Sequence, residues 1–273
     1  VVAFTLVGAL ATGVDVSSQT VWMRLGLWMV LMTLYTGFWF GLAILVNTYS
    51  TSSATNALSL AGAWLALVLV LPSIANLIAT SVYPVPSRVE MVQAMRTAGK
   101  DAQSRGSMLL SKYMEDHPEL MPAGEKPQVD FASVTYAVQI EVDKQVQPIL
   151  DRFDKQVDKQ QEFVDGFRFL SPAILAQSGI NDLAGTSLGR YKHFSGQVDG
   201  FFETWKNYFL PKIFQKVKMR SAEIAQLPAY AYAEEPDSQI LSRVAVVLAG
   251  LAALTTIIFG IAYSRLKRVS IAS

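Results

Sequence analysis

Between Arg24 and Arg88 the sequence contains no Asp, Glu, Lys or Arg, and none occurs again between Arg243 and Arg265. An uncharged apolar run of about 20 residues is long enough to cross roughly 30 Å of hydrocarbon as a helix. The first gap accommodates two such crossings and the second gap one. Only 16% of the chain is charged, against about 25% in soluble domains, and these neutral stretches account for the deficit. The pattern predicts an all-α, polytopic helical membrane protein. Spans are expected over 20–47, 54–83 and 239–264, with a tail over 265–273. The apolar run that opens the sequence predicts the end of a further span over 1–12, with more spans upstream.

The expected spans carry local detail. Trp22 sits near a span end, where aromatic rings favour the water–lipid interface. Gly37 and Gly41, four apart, suit a close helix–helix approach, as do Ala57, Ala61, Gly62 and Ala66, and again Ala245, Ala249 and Ala253. Pro72 removes a backbone donor and predicts a kink. Asn76 is expected to bond a neighbouring helix.

Residues 84–236 are polar and helix-patterned, and predict a helical extracytoplasmic domain inserted between the last two transmembrane helices. Tyr83-Pro84-Val85-Pro86 stops the preceding span. One helix is expected from Arg88 to about Met114 and another from about Asp130 to Phe167. In the latter Val142, Val146, Ile149, Leu150, Phe153 and Val157 form an apolar stripe, and Pro148 predicts a kink or break. Ser171-Pro172 reads as an N-cap and first helical position. The apolar segment that follows, with Pro172, Ile174 and Leu175, is expected to cap a bundle or lie on the membrane surface. A further helix is expected from Asn181 or Asp182 to about Ala225. Its stripe of Tyr191, Phe194, Phe201, Phe202, Trp205 and Phe209 is most simply core, and more sharply a substrate- or partner-contacting face.

Little in the composition points to chemistry. Net charge is +1, so no broad field favours nucleic acid. There is no cysteine, which excludes disulfides and thiolate metal sites. His117 and His193 lack partners at metal-ligand spacing, and Glu162, Asp165, Glu234 and Glu235 read as solvated carboxylates. No nucleotide-binding glycine loop is present. No catalytic, cofactor or metal site is therefore expected in this chain. Arg265, Lys267 and Arg268 anchor the end of the last span on the cytoplasmic side, which places residues 84–236 on the opposite, periplasmic side of a bacterial inner membrane.

The stretch Tyr35-Thr36-Gly37-Phe38-Trp39-Phe40-Gly41-Leu42-Ala43, running into Tyr49-Ser50-Thr51-Ser52-Ser53-Ala54-Thr55, resembles the fourth and fifth spans of type-two (exporter-class) ABC transporter permeases. Within that class the chain is similar to the group related to multi-copper-enzyme maturation permeases, some of which carry a large extracytoplasmic domain between the last two spans. Leu170-Ser171-Pro172-Ala173, Leu183-Ala184-Gly185-Thr186, Arg190-Tyr191 and Phe194 resemble recurring segments of that domain. The resemblance implies a permease subunit in the lipid bilayer, paired with a second permease, identical or homologous. A cytoplasmic ABC ATPase dimer with ATP and Mg would drive the pair, and a periplasmic or outer partner would meet the insert. A membrane receptor or an assembly scaffold is the competing expectation. At least two spans before the insert is unusual for a simple receptor.

Overall fold

The computed structural model describes residues 17–49, 52–120, 130–224 and 226–272. The span end expected over 1–12 lies outside them. Every regular element among the described residues is a helix. The chain divides into two compact units. The first contains residues 1–78, 163–193 and 233–273, and the second contains 79–162 and 194–232.

Three helices are long and apolar enough to cross a membrane: α1 (Gln19–Asn47), α2 (Ser53–Val82) and the Asp237–Arg268 portion of α9 (Asp237–Ala272). In the first unit α1 and α9 run parallel. Thr20 Oγ1 donates to Asp237 Oδ2 at 3.1 Å at one end, and Arg265 Nε donates to the Tyr49 hydroxyl at 3.0 Å at the other. Between these ends Thr255 Oγ1 donates to the Leu34 carbonyl. The Gly37/Gly41 spacing is used here: a Cβ at Gly41 would lie 3.0 Å from the Phe259 ring and 3.1 Å from Ile258. Small residues let the two backbones close up, as in other helix pairs of this kind. The α1–α2 turn is closed by Asn56 Nδ2 donating to Asn47 Oδ1 at 2.6 Å.

The other two small-residue ridges are not seams within the chain. Ala57, Ala61, Gly62 and Ala66 are exposed, and so are Ala245, Ala249 and Ala253. The face that α9 buries is Ile240, Val244, Val247 and Leu251. The close approach there is made by its partner, helix α6 (Pro172–Ala184), through Ala176 and Gly179, so α9 supplies bulk.

Helix α6 is the main departure from the sequence reading. Pro172 and Leu175 do not lie on a surface. Leu175, Ala176 and Leu183 are buried in one cluster with Leu31 of α1 and the buried face of α9, and Ile174 is half-buried. Its entry is a short 3₁₀ turn, Arg168–Leu170. There Phe169 packs so close to Gly250 that a Cβ would meet its ring at 2.8 Å. Leu31, Leu67, Gly250 and Leu251 all stand near the midpoints of their long helices. α6 therefore starts level with the middle of α1, α2 and α9, and climbs toward the end where α1 and α9 begin.

Asn181 and Asp182 do not start a helix; they form the last turn of α6. Gly185, at φ +70°, takes the left-handed position there, with its N–H bonded to Asp182 O and that of Thr186 to Asn181 O. This pair of hydrogen bonds is the usual glycine closure of a helix. Helix α7 (Leu188–Phe214) then begins, and it ends near Lys216 rather than Ala225.

In the second unit the helix expected over 88–114 is two, α3 (Arg88–Ser104) and α4 (Gly106–Asp116). The break at Arg105 brings Gly106 against α5 (Phe131–Phe167), where a Cβ would be 2.8 Å from Val134. α5 runs through Pro148 without a break. The core is Leu110, Met114, Ala137 and Phe214. Tyr113 stacks on Phe214 at 5.6 Å and Tyr136 stands edge-on to both. Burial first, then the Tyr113 hydroxyl, pushes the Tyr136 phenol well above its ordinary value. A four-residue helix, α8 (Ser221–Ile224), precedes the chain's return to α9.

Candidate functional site

Seven charged side chains converge in the first unit where α1 and α9 begin and α6 ends. Arg243, on the second turn of α9, is their centre. Its Nε donates to Asp182 Oδ1 at 2.8 Å, while Nη1 and Nη2 grip Glu235 at 2.7 and 3.0 Å. Glu235 is 4% exposed and Asp182 5%. Arg190, just past the α6–α7 turn, donates to Glu234 at 2.9 Å and to the Gly185 carbonyl at 3.1 Å. Arg24 of α1 reaches Glu234 at 3.8 Å and Asp237 at 3.7 Å. His193 Nε2 lies 3.1 Å from the Ala233 carbonyl. Three guanidinium groups thus hold four carboxylates and tie α1, α6, α7 and α9 together.

The electrostatics explain how a carboxylate survives buried here. Hydrogen bonds from Arg243 hold the Glu235 carboxyl below the usual range despite burial, helped by the charges of Arg243, His193 and Arg24. The planar guanidinium fork matches a carboxylate with two parallel bonds, which a lysine does not. The depressed value adds stability that is complete above the unfolded carboxyl value of about 4.3 and drains as pH falls through the folded one. Thermal unfolding in detergent should show the midpoint falling below about pH 4.3, with a shallower fall in Glu235→Gln over the same interval. Equal slopes in the two proteins would contradict this assignment.

The sequence expectation of a solvated carboxylate is therefore corrected for Glu235, while Glu234 is exposed. Glu235 is buried because Arg243 stands two helical turns further on and Asp182 arrives from α6. One signal was available. Arg24 and Arg243 are the last charges before the two long neutral stretches, and the topology puts both at the same end.

The aromatic stripe of α7 is not the core of the second unit. Among the described residues of α7 only Phe214 is fully buried. Phe194, Phe202 and Trp205 are exposed, and Phe201 and Phe209 half-buried. The returning segment over 228–232 covers the stripe partly: Trp205 Nε1 donates to Pro228 O at 2.9 Å, and Tyr230 packs edge-on to Phe201 and Phe194 at 5.3 and 6.4 Å. A single irregular segment cannot bury what a second helix would, so the ladder stays half open. Tyr191, in the first unit, is also exposed. Arg265 lies over the Tyr49 ring at 4.2 Å, and Lys267 and Arg268 are exposed beyond it.

No curated protein and no solved structure matches the chain. Residues 88–233, more than half of the sequence, match the family described as Domain of unknown function (DUF3526). The chain belongs to the DUF3526 family.

Proposed function

We propose that this chain is the membrane permease subunit of an ATP-driven ABC transporter in a bacterial inner membrane. Residues 84–236 stand on the periplasmic side, except Arg168–Ala184, which reach in among the spans, and the end of α9 is cytoplasmic. The observation that carries the reading is α6. A segment of the family domain is built in among three helices suited to crossing a bilayer, so a movement of those helices must move that segment. Backbone that enters a bilayer without spanning it is tolerated only where protein or a water-filled cavity surrounds it. Transporters place their broken helices in such settings. ATP and Mg bind in a partner ATPase dimer, and a second permease, identical or homologous, completes the path. Exposed apolar residues along α2, Leu65, Leu69 and Leu77 among them, suit lipid or that second permease.

Purification from native membranes in mild detergent tests this. A stoichiometric nucleotide-hydrolysing subunit is expected, with hydrolysis that changes when the permease is reconstituted with it. A stable complex lacking any such subunit would contradict transport and favour a receptor or scaffold.

A further inference from the structure

Helix α2 is not a plain α-helix. Leu65–Val70 is a π-helical turn, followed by Leu71 and then Pro72. The Leu71 N–H bonds Ala66 O, five residues back. Continued by one residue, that spacing would give Leu67 O the nitrogen of Pro72, which carries no hydrogen. The Leu67 carbonyl is thereby left without a backbone donor near the middle of an apolar helix, where no water replaces it cheaply. Ser171 supplies the donor: its hydroxyl gives a 2.6 Å hydrogen bond to Leu67 O. The Ser171 hydroxyl oxygen itself accepts from Ile174 N at 3.3 Å and so caps α6. Ser171 is fully buried.

The alternative register shows what this bond selects. If Leu65–Val70 wound as ordinary α-helix, Leu71 N–H would serve Leu67 O, and the carbonyl facing Pro72 would be Val68. The orphan would move one residue, about 100° around the helix, out of line with Ser171. We infer that Ser171 is a register lock: its hydroxyl holds α2 in the π form, so that docking of α6 and winding of α2 are one linked event. Withdrawal of α6 removes the donor and frees the segment to rewind. Rewinding turns Ser53–Trp64 against the residues after Pro72 by about 100°. The lock belongs to the first unit and acts whether or not the chain transports anything.

Hydrogen exchange on the purified full chain in detergent tests the lock by a double-mutant comparison. With Pro72 present, Ser171→Ala should speed exchange of the amides over 65–71 roughly threefold to tenfold, and Ser171→Thr should restore the native rate. Pro72→Ala supplies the missing N–H, and should by itself slow exchange over 65–71. In that background Ser171→Ala should leave 65–71 unchanged while still speeding Ile174, whose cap is lost either way. Ile174 thus separates loss of the cap from loss of the lock. The lock is overturned if Ser171→Ala speeds 65–71 equally in both backgrounds, or not at all with Pro72 present. If Ser171→Ala fails to fold, Pro72→Ala alone decides: unchanged or faster exchange over 65–71 rejects the lock.

Discussion

Arg243→Ala should destabilise the first unit by about 3–5 kcal/mol, the cost of removing one partner from a buried ion pair. Arg243 is the shared partner of two carboxylates that water barely reaches, Glu235 and Asp182. Its removal strands both where an uncompensated charge is expensive. Arg243→Lys keeps the charge but loses the two-pronged grip on Glu235, and should recover only part of the loss. Arg243→Met combined with Glu235→Gln and Asp182→Asn should be milder than Arg243→Ala alone, because no stranded charge remains. Unfolding midpoints in one detergent, compared across these three variants and the native protein, check the order. If Arg243→Ala matches the native protein, the cluster is a loose surface network and not a clamp.

Gly179→Leu should force α6 out of its seat. A Cβ at this position alone would run into Leu31, and would come to 3.0 Å of Val247. Both neighbours are buried in the same cluster and have little room to retreat. Overfilling a packed interior costs about 1–3 kcal/mol, and a leucine adds three more carbons to the collision. The released segment carries Ser171 and Asp182 with it, so the mutation should also loosen the amides of α2 over 65–71 and weaken the grip on Arg243. Limited proteolysis should then cut between Phe169 and Gly185, a stretch expected to resist in the native protein. Resistance in Gly179→Leu would mean that α6 is not wedged between α1 and α9.

The three long helices were legible because charge is excluded from them so completely that composition alone gives their bounds within a few residues. The Gly37/Gly41 contact was legible for a related reason: a residue with no side chain, repeated one turn apart, has few other uses in such a helix. The alanine ridges of α2 and α9 carried the same signal without the contact, because which face packs is decided by what arrives beside it. α6 was the hardest element to place. At 13 residues it is too short to span, and its apolar run reads equally as a surface strip or a plug. Only Leu31, Val247 and Leu251 decide between those, and they are distant in sequence. The pairing of Arg243 with Glu235 and Asp182, like the Leu67 carbonyl left over by Pro72, is a fact of tertiary placement. The aromatic stripe of α7 has one periodicity for a core and for a half-open ladder, so spacing could not separate them.

The central claim is that a piece of the family domain lies between the long apolar helices, and a disulfide reads it directly. The 273 residues contain no cysteine, so Gly179→Cys and Val247→Cys introduced together have no native thiol to compete with. With a protease site engineered near residue 218 and mild oxidation in native membranes, the two fragments should stay joined until a reductant is added. Fragments that separate without reductant, with the thiol at 179 reacting freely with a water-soluble maleimide, would contradict the account.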